Sequence, residues 1–156
     1  MANQHSARPQ LEFVFAATVA VGAALDFGDV GKGRRRVVPI LGGSFAGPKL
    51  AGEVLPGADW QVLRDDGVAE LEARYALRTD DGALILVRNL ALRHGPAEVM
   101  AALSAGEPVN PDSYYFRGAT FFETGAGRYA WLSRHIIICN GQREPDKVKL
   151  EFFMVT

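Results

Sequence analysis

The sequence predicts an all-β protein, an antiparallel β-barrel of about eight to ten strands with one short helix. Apolar and polar residues alternate through most of the chain, with the period of two that is typical of strands. Turn-forming residues separate these segments, as at Pro56-Gly57, Asp65-Asp66-Gly67 and Asp80-Asp81-Gly82. Each of these turns can reverse a strand, because glycine readily adopts a positive φ. Long strands in close succession favour a barrel, since closure removes exposed edges.

The strands can be placed from the alternation and the turns between them. Segments 68–79 and 83–92 flank Asp80-Asp81-Gly82 and are expected to form a hairpin. Gly42-Gly43 indicates a close backbone approach or a bulge at a barrel corner. In chain order we expect strands at 11–21, 34–41, 49–55, 60–63, 68–79, 83–92, 114–123, 129–140 and 147–155.

Only segment 96–105 has a helical pattern. Pro96 suits a first helical turn, three apolar side chains share one face, and Gly106 is a good stop. We expect residues 1–10 to be a flexible N-terminus and residues 11–156 to form a single domain.

Charge and composition exclude several classes of function. The chain has 156 residues, of which 17 are basic and 18 acidic, and the basic run Arg34-Arg35-Arg36 would be split between two strand faces. We therefore expect no nucleic-acid partner. The apolar run 13–25 is too short to span a bilayer, and its weakly basic flank is atypical of a signal peptide. We expect a soluble, cytoplasmic protein that does not bind membranes.

No cofactor or metal is expected. The chain has no dinucleotide-binding glycine motif, no phosphate-binding P-loop and no serine-hydrolase elbow. Its three histidines, His5, His94 and His135, are scattered, whereas a metal site needs convergent ligands. The single Cys139 lies in an apolar run and is interpreted as a small buried residue.

Two predicted strands carry the residue types that line a ligand cavity. Segments 114–123 and 129–140 interleave aromatic rings with Arg, Glu and His. Such a mixture gives a pocket apolar contact and a few orienting polar groups, although an ordinary solvated strand face can show it too. The faces Tyr114/Phe116 and Phe153/Val155 fit either a homodimer interface or the core.

The candidate catalytic residues are Asp59, Tyr115 and Arg117. Asp59 follows a Pro-Gly turn and precedes Trp60, so its carboxyl group is a candidate acid or base, or else a turn residue that accepts backbone N–H groups. Arg117 could hold an anionic group of a ligand or form a structural ion pair. Tyr115 could donate a proton or be a core residue. The candidate substrate-binding residues are Trp60, Gln61, Arg74, Glu123, Trp131 and His135.

Several motifs together resemble the DUF3237 family, also called UPF0311. They include Gly42-Gly43-x-Phe45-x-Gly47-Pro48, Pro56-Gly57-x-Asp59-Trp60-Gln61, Ala73-Arg74-Tyr75, Tyr114-Tyr115-Phe116-Arg117 and Tyr129-x-Trp131-Leu132. The resemblance runs from about residue 11 to residue 155 and implies a small single-domain β-barrel of largely unknown function. Ser133 departs from the pattern, which has Asn after Trp-Leu.

The preferred hypothesis is a barrel that binds a small organic ligand and catalyses cofactor-free acid–base chemistry. The substrate would be a small organic acid or carbonyl compound, and the enzyme a lyase, isomerase or cyclase. One alternative is a non-catalytic carrier or sensor that uses the same cavity. Another is a structural or protein-binding module, for which the barrel would be filled.

Overall fold

A computed structural model of the protein describes residues 7–156, so part of the expected flexible N-terminus, residues 1–6, lies outside it. The described chain is mostly β-structure with one α-helix and two short 3-10 helices, Pro111–Ser113 and Gly127–Ser133. The regular elements are β1 (Leu11–Val21), β2 (Leu25–Asp29), β3 (Arg34–Ala46), β4 (Ala51–Val54), β5 (Gly57–Leu63), β6 (Ala69–Thr79), β7 (Leu84–His94), α1 (Ala97–Ser104), β8 (Tyr115–Glu123), β9 (Ile137–Arg143) and β10 (Lys147–Val155).

The strands close into an antiparallel barrel, which confirms the predicted fold. The sheet runs β1-β10-β9-β8-β7-β6, continues through β4 and β5 to β3, and closes by pairing of β1 with β3. The ring has eight strand positions, because β4 and β5 share one of them. Outside the ring, β2 pairs with the first residues of β3, Arg34 to Val37. Closure satisfies the backbone groups that an open sheet would expose at its edges.

Two of the three turn signals reverse the chain, and the third does not. The Asp-Gly turns join β5 to β6 and β6 to β7, with Gly67 and Gly82 both at φ 87°. Pro56-Gly57 instead interrupts one strand, since β4 and β5 both pair antiparallel with β6. At Gly57 an added Cβ would lie 2.1 Å from the carbonyl oxygen of Arg74, so the two backbones approach too closely for any side chain.

The close approach predicted at Gly42-Gly43 is confirmed. β3 pairs with β5 up to Ile40 and with β4 from Gly43 onward, so the glycines lie where its partner changes. A Cβ on Gly43 would lie 2.0 Å from the carbonyl oxygen of Thr18 on β1. β3 is therefore longer than the predicted 34–41.

The predicted strand 129–140 is wrong in its first half. Residues 127–133 form a 3-10 helix, and β9 begins only at Ile137. Tyr129 and Leu132, three residues apart, are buried in the core, which fits a helix with three residues per turn. The Tyr129 hydroxyl donates to Asp81 at 3.0 Å and ties this helix to the β6–β7 turn. The short strand β2 was not predicted.

Two apolar clusters occupy opposite ends of the barrel along β6 and β7. The larger contains Tyr75, Leu77 and Ile85, and the smaller contains Leu71, Ala91 and Phe116. The predicted helix is confirmed as α1, which packs Val99, Met100 and Leu103 against the smaller cluster. Tyr114 and Phe116 are buried there, so they give no support to the predicted homodimer. Within residues 7–156 we find no helix with the length and apolar character that crossing a membrane requires.

Candidate functional site

A cavity lies inside the barrel between the two apolar clusters. Small inward residues create it, because Ala73 on β6 and Ala91 on β7 leave room that larger side chains would fill. The cavity has a volume of about 50 Å³. It is therefore small, with room for a few water molecules, a small molecule or part of one. The polar residues that line it are Asp59, Gln61, Tyr75, Asn89, Arg93 and Arg143.

Asp59 projects into this cavity from β5. It pairs with Val38 on one side and Ala73 on the other, so apolar residues flank it in the barrel wall. Its Oδ2 atom accepts a hydrogen bond from Gln61 Nε2 at 2.9 Å, whereas its Oδ1 atom is shielded from solvent and has no hydrogen-bond partner among the described residues. Burial raises the pKa of Asp59 and outweighs the hydrogen bond from Gln61, which lowers it.

Gln61 fixes which oxygen of Asp59 can carry a proton. Arg36 Nη2 donates to Gln61 Oε1 at 2.9 Å, and because a guanidinium group only donates, the amide nitrogen of Gln61 must face Asp59. Oδ2 is thus an acceptor. The protonated form of Asp59 would carry its hydrogen on Oδ1, and that oxygen is left free for a ligand.

The Tyr75 hydroxyl is a second buried polar group of the cavity without a partner among the described residues. Its side chain lines the cavity from β6, two residues beyond Ala73, the cross-strand partner of Asp59. The residue is 4% exposed, and its hydroxyl has no hydrogen-bond partner among the described residues. Burial raises the pKa of this hydroxyl, and the nearby groups Cys139 and Asp59 raise it further. The phenol therefore stays protonated at neutral pH.

Three arginines give the cavity more positive than negative charge. Arg93 and Arg143 line it directly, and Arg36 reaches it through Gln61. The pKa of Arg93 is lowered to about 10, mainly by burial; Asp59 opposes the change, and Arg143 and Arg36 add to it. Burial also lowers the pKa of Arg143, with Arg36 next in effect. A guanidinium group in a protein keeps its charge at neutral pH.

Asn89 and Cys139 have a structural role in the cavity wall. Asn89 Oδ1 accepts from Thr120 at 2.9 Å, and Asn89 Nδ2 donates to the Cys139 sulfur at 3.2 Å. Burial raises the pKa of the Cys139 thiol, which disfavours the nucleophilic thiolate. The interpretation of Cys139 as a buried apolar residue fits this environment.

Of the predicted site residues, Asp59 and Gln61 line the cavity, and their roles remain predictions. Trp60 and Arg74 lie in the same two strands but point outward. Trp60 is 39% exposed, and Arg74 is exposed and pairs with Glu72 at 3.2 Å. The strand alternation that brings Asp59 and Gln61 inside places Trp60 and Arg74 outside.

The predicted residues of β8 also lie on the outer surface. Tyr115 is 45% exposed and stacks on His94 with ring centroids 4.9 Å apart. Arg117 is exposed and donates to the backbone oxygen of Phe116, and Glu123 is exposed at the far end of the strand. None of the three lines the cavity, because the inward positions of β8 are Phe116, Gly118, Thr120 and Phe122.

Trp131 and His135 were predicted as site residues because segment 129–140 was taken to be a strand. Both lie outside the cavity. Trp131 is half-buried in the 3-10 helix, with the Lys49 ammonium 5.1 Å from its ring centroid. His135 is exposed, and its Nδ1 contacts the Trp131 carbonyl oxygen at 2.8 Å. Ser133 is exposed in the same helix, away from the cavity.

Four residues at or next to the cavity were not predicted as site residues: Tyr75, Arg93, Arg143 and Arg36. The sequence held a signal for Tyr75, because it alternates with polar residues on β6 in step with Leu71, Ala73 and Leu77. Arg74 lies between these positions and therefore belongs to the opposite face of the strand. No comparable signal marks Arg93 or Arg143, which lie near strand ends where arginines are commonly solvated. Among residues 7–156, no group of three or more His, Cys, Asp or Glu side chains is arranged to hold a metal ion.

A family model described as a protein of unknown function, DUF3237, matches residues 9–155. The chain belongs to the DUF3237 family. A UPF0311 protein of Rhodopseudomonas palustris is 44% identical over 150 residues, which cover 94% of this chain and 98% of that protein. A crystal structure of another protein from that organism, described as a conserved protein of unknown function, has a TM-score of 0.91 and 40% identity, covering 96% of this chain and 99% of the other.

One relative of this DUF3237 chain has a named activity. It is the hydroalkoxylation enzyme phnH of Penicillium herquei, 29% identical over 125 residues, or 80% of this chain and 69% of that enzyme. A crystal structure described as an enzyme from Penicillium herquei has a TM-score of 0.72 and 25% identity, covering 95% of both chains.

Proposed function

We propose that this DUF3237 protein is an enzyme that catalyses cofactor-free acid–base chemistry on a small organic molecule in the barrel cavity. The observation that carries the proposal is a pair of buried polar atoms in one small cavity, Asp59 Oδ1 and the Tyr75 hydroxyl, neither of which has a hydrogen-bond partner among the described residues. A buried polar atom without a partner destabilises the fold, so a ligand that pairs with both would relieve that cost.

The reaction class we propose is addition of a hydroxyl group across a carbon–carbon double bond, with ring closure when both groups belong to one molecule. The distant relationship to a hydroalkoxylation enzyme favours this class, since hydroalkoxylation is such an addition. The direction of the pKa shift at Asp59 favours general acid catalysis, because a raised pKa increases the fraction of the carboxyl group that carries a proton.

The proposed steps balance without an oxidant or a reductant. Asp59 Oδ1 gives its proton to one carbon of the double bond, and the substrate hydroxyl oxygen forms a bond to the other carbon. The hydroxyl proton then passes to the Asp59 carboxylate, which restores the acid. Tyr75 would hydrogen-bond to a substrate oxygen and orient it, and the Arg36–Gln61 pair would hold the Asp59 carboxyl group in position.

The test is turnover of hydroxyl-bearing α,β-unsaturated carbonyl compounds in D₂O. Ring closure leaves the formula unchanged, so the product would differ in retention time, lose the conjugated ultraviolet absorbance and carry one carbon-bound deuterium. Asp59→Asn should abolish turnover. Asp65→Asn, which changes an exposed aspartate of the β5–β6 turn, should retain it. Full turnover by Asp59→Asn would refute the assigned role.

A non-catalytic carrier or sensor predicts a different result. Compounds from the same panel would then bind saturably to the wild-type protein and be recovered unchanged, without deuterium, after long incubation. That outcome would reject the enzymatic proposal and leave the cavity as a binding site only.

A further inference from the structure

The charges that line the cavity do not balance. Arg93 and Arg143 line it and Arg36 is bonded to its wall, whereas Asp59 is the carboxylate among its lining residues. In the described part of the chain, no carboxylate lies within 4.0 Å of any of these three guanidinium groups. By contrast, Arg34, Arg64, Arg74, Arg78, Arg88 and Arg128 on the outer surface are all paired.

Arg93 is the clearest unpaired group. It is 7% exposed, and its Nε atom has no hydrogen-bond partner among the described residues. Its guanidinium carbon lies 5.5 Å from the centroid of the Phe116 ring, a contact that orients the side chain but does not neutralise the charge. A buried cation without a counter-charge is expensive, and proteins usually keep one where a ligand supplies the anion.

Arg143 is held in place by the backbone beside the cavity. Its Nη1 atom donates to the carbonyl oxygens of Glu144 and Lys147, and its own backbone N–H donates to the Tyr114 hydroxyl at 3.0 Å. Arg36 is similarly fixed by its bond to Gln61 at 2.9 Å, while its Nε atom has no partner among the described residues. The site is thus preorganised, so an anion could bind without ordering mobile side chains.

We propose that Arg93, assisted by Arg36 and Arg143, binds the carboxylate of the substrate inside the barrel, so that the substrate is a small organic acid. The inference rests on the proposed function, because it names the substrate class of the same cavity. Asp59 and Tyr75 would then face the unsaturated part of that acid.

The surroundings favour a carboxylate over a phosphate. A guanidinium group presents a planar fork that matches the two oxygens of a carboxylate. Phosphate sites commonly add backbone N–H groups from a glycine-rich loop or a helix N-terminus. This cavity is lined by strand residues, whose backbone groups are engaged in the sheet, and its walls are apolar: Val19, Val21, Val38, Ile40 and Leu150. A small cavity with apolar walls suits an acid with a small hydrocarbon body.

The test is a calorimetric titration with matched acids and amides. The probes are butyrate against butyramide, crotonate against crotonamide, benzoate against benzamide, and methyl phosphate, each up to 20 mM. At least one acid should bind at least tenfold more tightly than its amide. Arg93→Gln should weaken that binding by about 10- to 100-fold, the range expected when a charge-assisted hydrogen-bonded pair is lost.

Two further variants serve as controls for Arg93→Gln. Arg88→Gln changes an arginine on the same strand that points outward and pairs with Glu72, so it should leave the affinity unchanged. Arg93→Lys keeps the charge without the fork and should weaken binding less than Arg93→Gln does. Circular dichroism would establish that each variant is folded.

The outcomes separate this inference from the proposed function. Asp59→Asn should bind the acid about as tightly as the wild type, because the neutral amide replaces the protonated carboxyl group, even though turnover is lost. If Asp59→Asn retained turnover, the proposed function would fail while the carboxylate site stood. Equal affinity for acid and amide, no binding of any acid, preference for methyl phosphate, or unchanged affinity in Arg93→Gln would each overturn the carboxylate site.

Discussion

Replacing Arg93 by Met should make the ligand-free protein more stable, although it removes a buried side chain. Arg93 is nearly fully buried, and its charge has no carboxylate partner among the described residues. Methionine keeps an unbranched, flexible side chain that can still pack on Phe116. The substitution therefore removes mainly the buried charge.

The magnitude can be worked from the pKa of Arg93. Burial lowers it from 12.5 to about 10. This difference is equivalent to roughly 3 kcal/mol against the charged form, at about 1.4 kcal/mol per pKa unit. A guanidinium group is charged in both the folded and the unfolded chain at neutral pH, so the full penalty is present there. Loss of the contact with Phe116 offsets part of the gain, by about 1 kcal/mol or more, whereas the attraction to Asp59 is already included in the pKa of about 10. We expect a net gain of about 1–2 kcal/mol in the free energy of unfolding.

Urea unfolding and thermal unfolding both measure this gain. For a chain of this size the melting temperature should rise by about 2–4 °C per kcal/mol. Arg88→Met is the matched control, since Arg88 lies on the same strand, faces solvent and pairs with Glu72, and its loss should cost about 0–1 kcal/mol. If Arg93→Met were the less stable of the two variants, Arg93 would be well compensated in the free protein, and the unbalanced charge of the cavity would be refuted.

Three further predictions concern Asp59, Tyr75 and Gly57. Because burial raises the folded-state pKa of Asp59, ionisation of this group destabilises the fold, and the penalty grows as the pH rises from the unfolded-state pKa through the folded-state pKa. Asp59→Asn should therefore gain stability over the wild type at pH 7 and lose that advantage at pH 3, and urea unfolding that shows the opposite trend would contradict the raised pKa. Tyr75→Phe removes a buried hydroxyl without a described partner and should raise the free energy of unfolding by about 1 kcal/mol while lowering turnover, so that a clear loss of stability in urea would show that the hydroxyl is well bonded. Gly57→Ala would place a Cβ 2.1 Å from the Arg74 carbonyl oxygen and should destabilise by at least about 1–3 kcal/mol, whereas Gly125→Ala, with nothing within 4 Å of the added Cβ, should change stability by less than about 0.5 kcal/mol; equal effects in urea unfolding would contradict the close approach.

The fold was largely predictable because its signals are local. Asp80-Asp81-Gly82 lies between two alternating segments and forms the predicted hairpin, with Gly82 at φ 87°. The segment that begins at Tyr129 was wrongly predicted to be a strand, because its aromatic residues are typical of strands. Its burial at Tyr129 and Leu132 has a period of three, which distinguishes it from a strand, but so short a segment shows that period only once.

The candidate site was only partly predictable because it is built from distant parts of the chain. Asp59 and Gln61 are adjacent to a conspicuous turn and were found. Arg93 on β7 and Arg143 on β9 come to the same cavity only when both strands pair with β8. Neither arginine has a neighbour in sequence that marks it as buried. Arg74 and Arg117 were chosen instead, since Arg74 lies beside Tyr75 and Arg117 follows the aromatic run Tyr114-Tyr115-Phe116. Alternation along the strand determines which of two adjacent residues faces the cavity, and a single bulge reverses this alternation from that point on.

The most direct test of the account is an NMR titration of the Asp59 carboxyl carbon between pH 3 and pH 8, with the signal assigned from its absence in Asp59→Asn. The reference is the ordinary aspartate pKa of 3.8. Since burial raises the pKa of Asp59, we expect its midpoint to lie above that value. A midpoint at or below 3.8 would show that Asp59 is a fully ionised carboxylate at neutral pH, which would contradict its role as the acid of the barrel cavity.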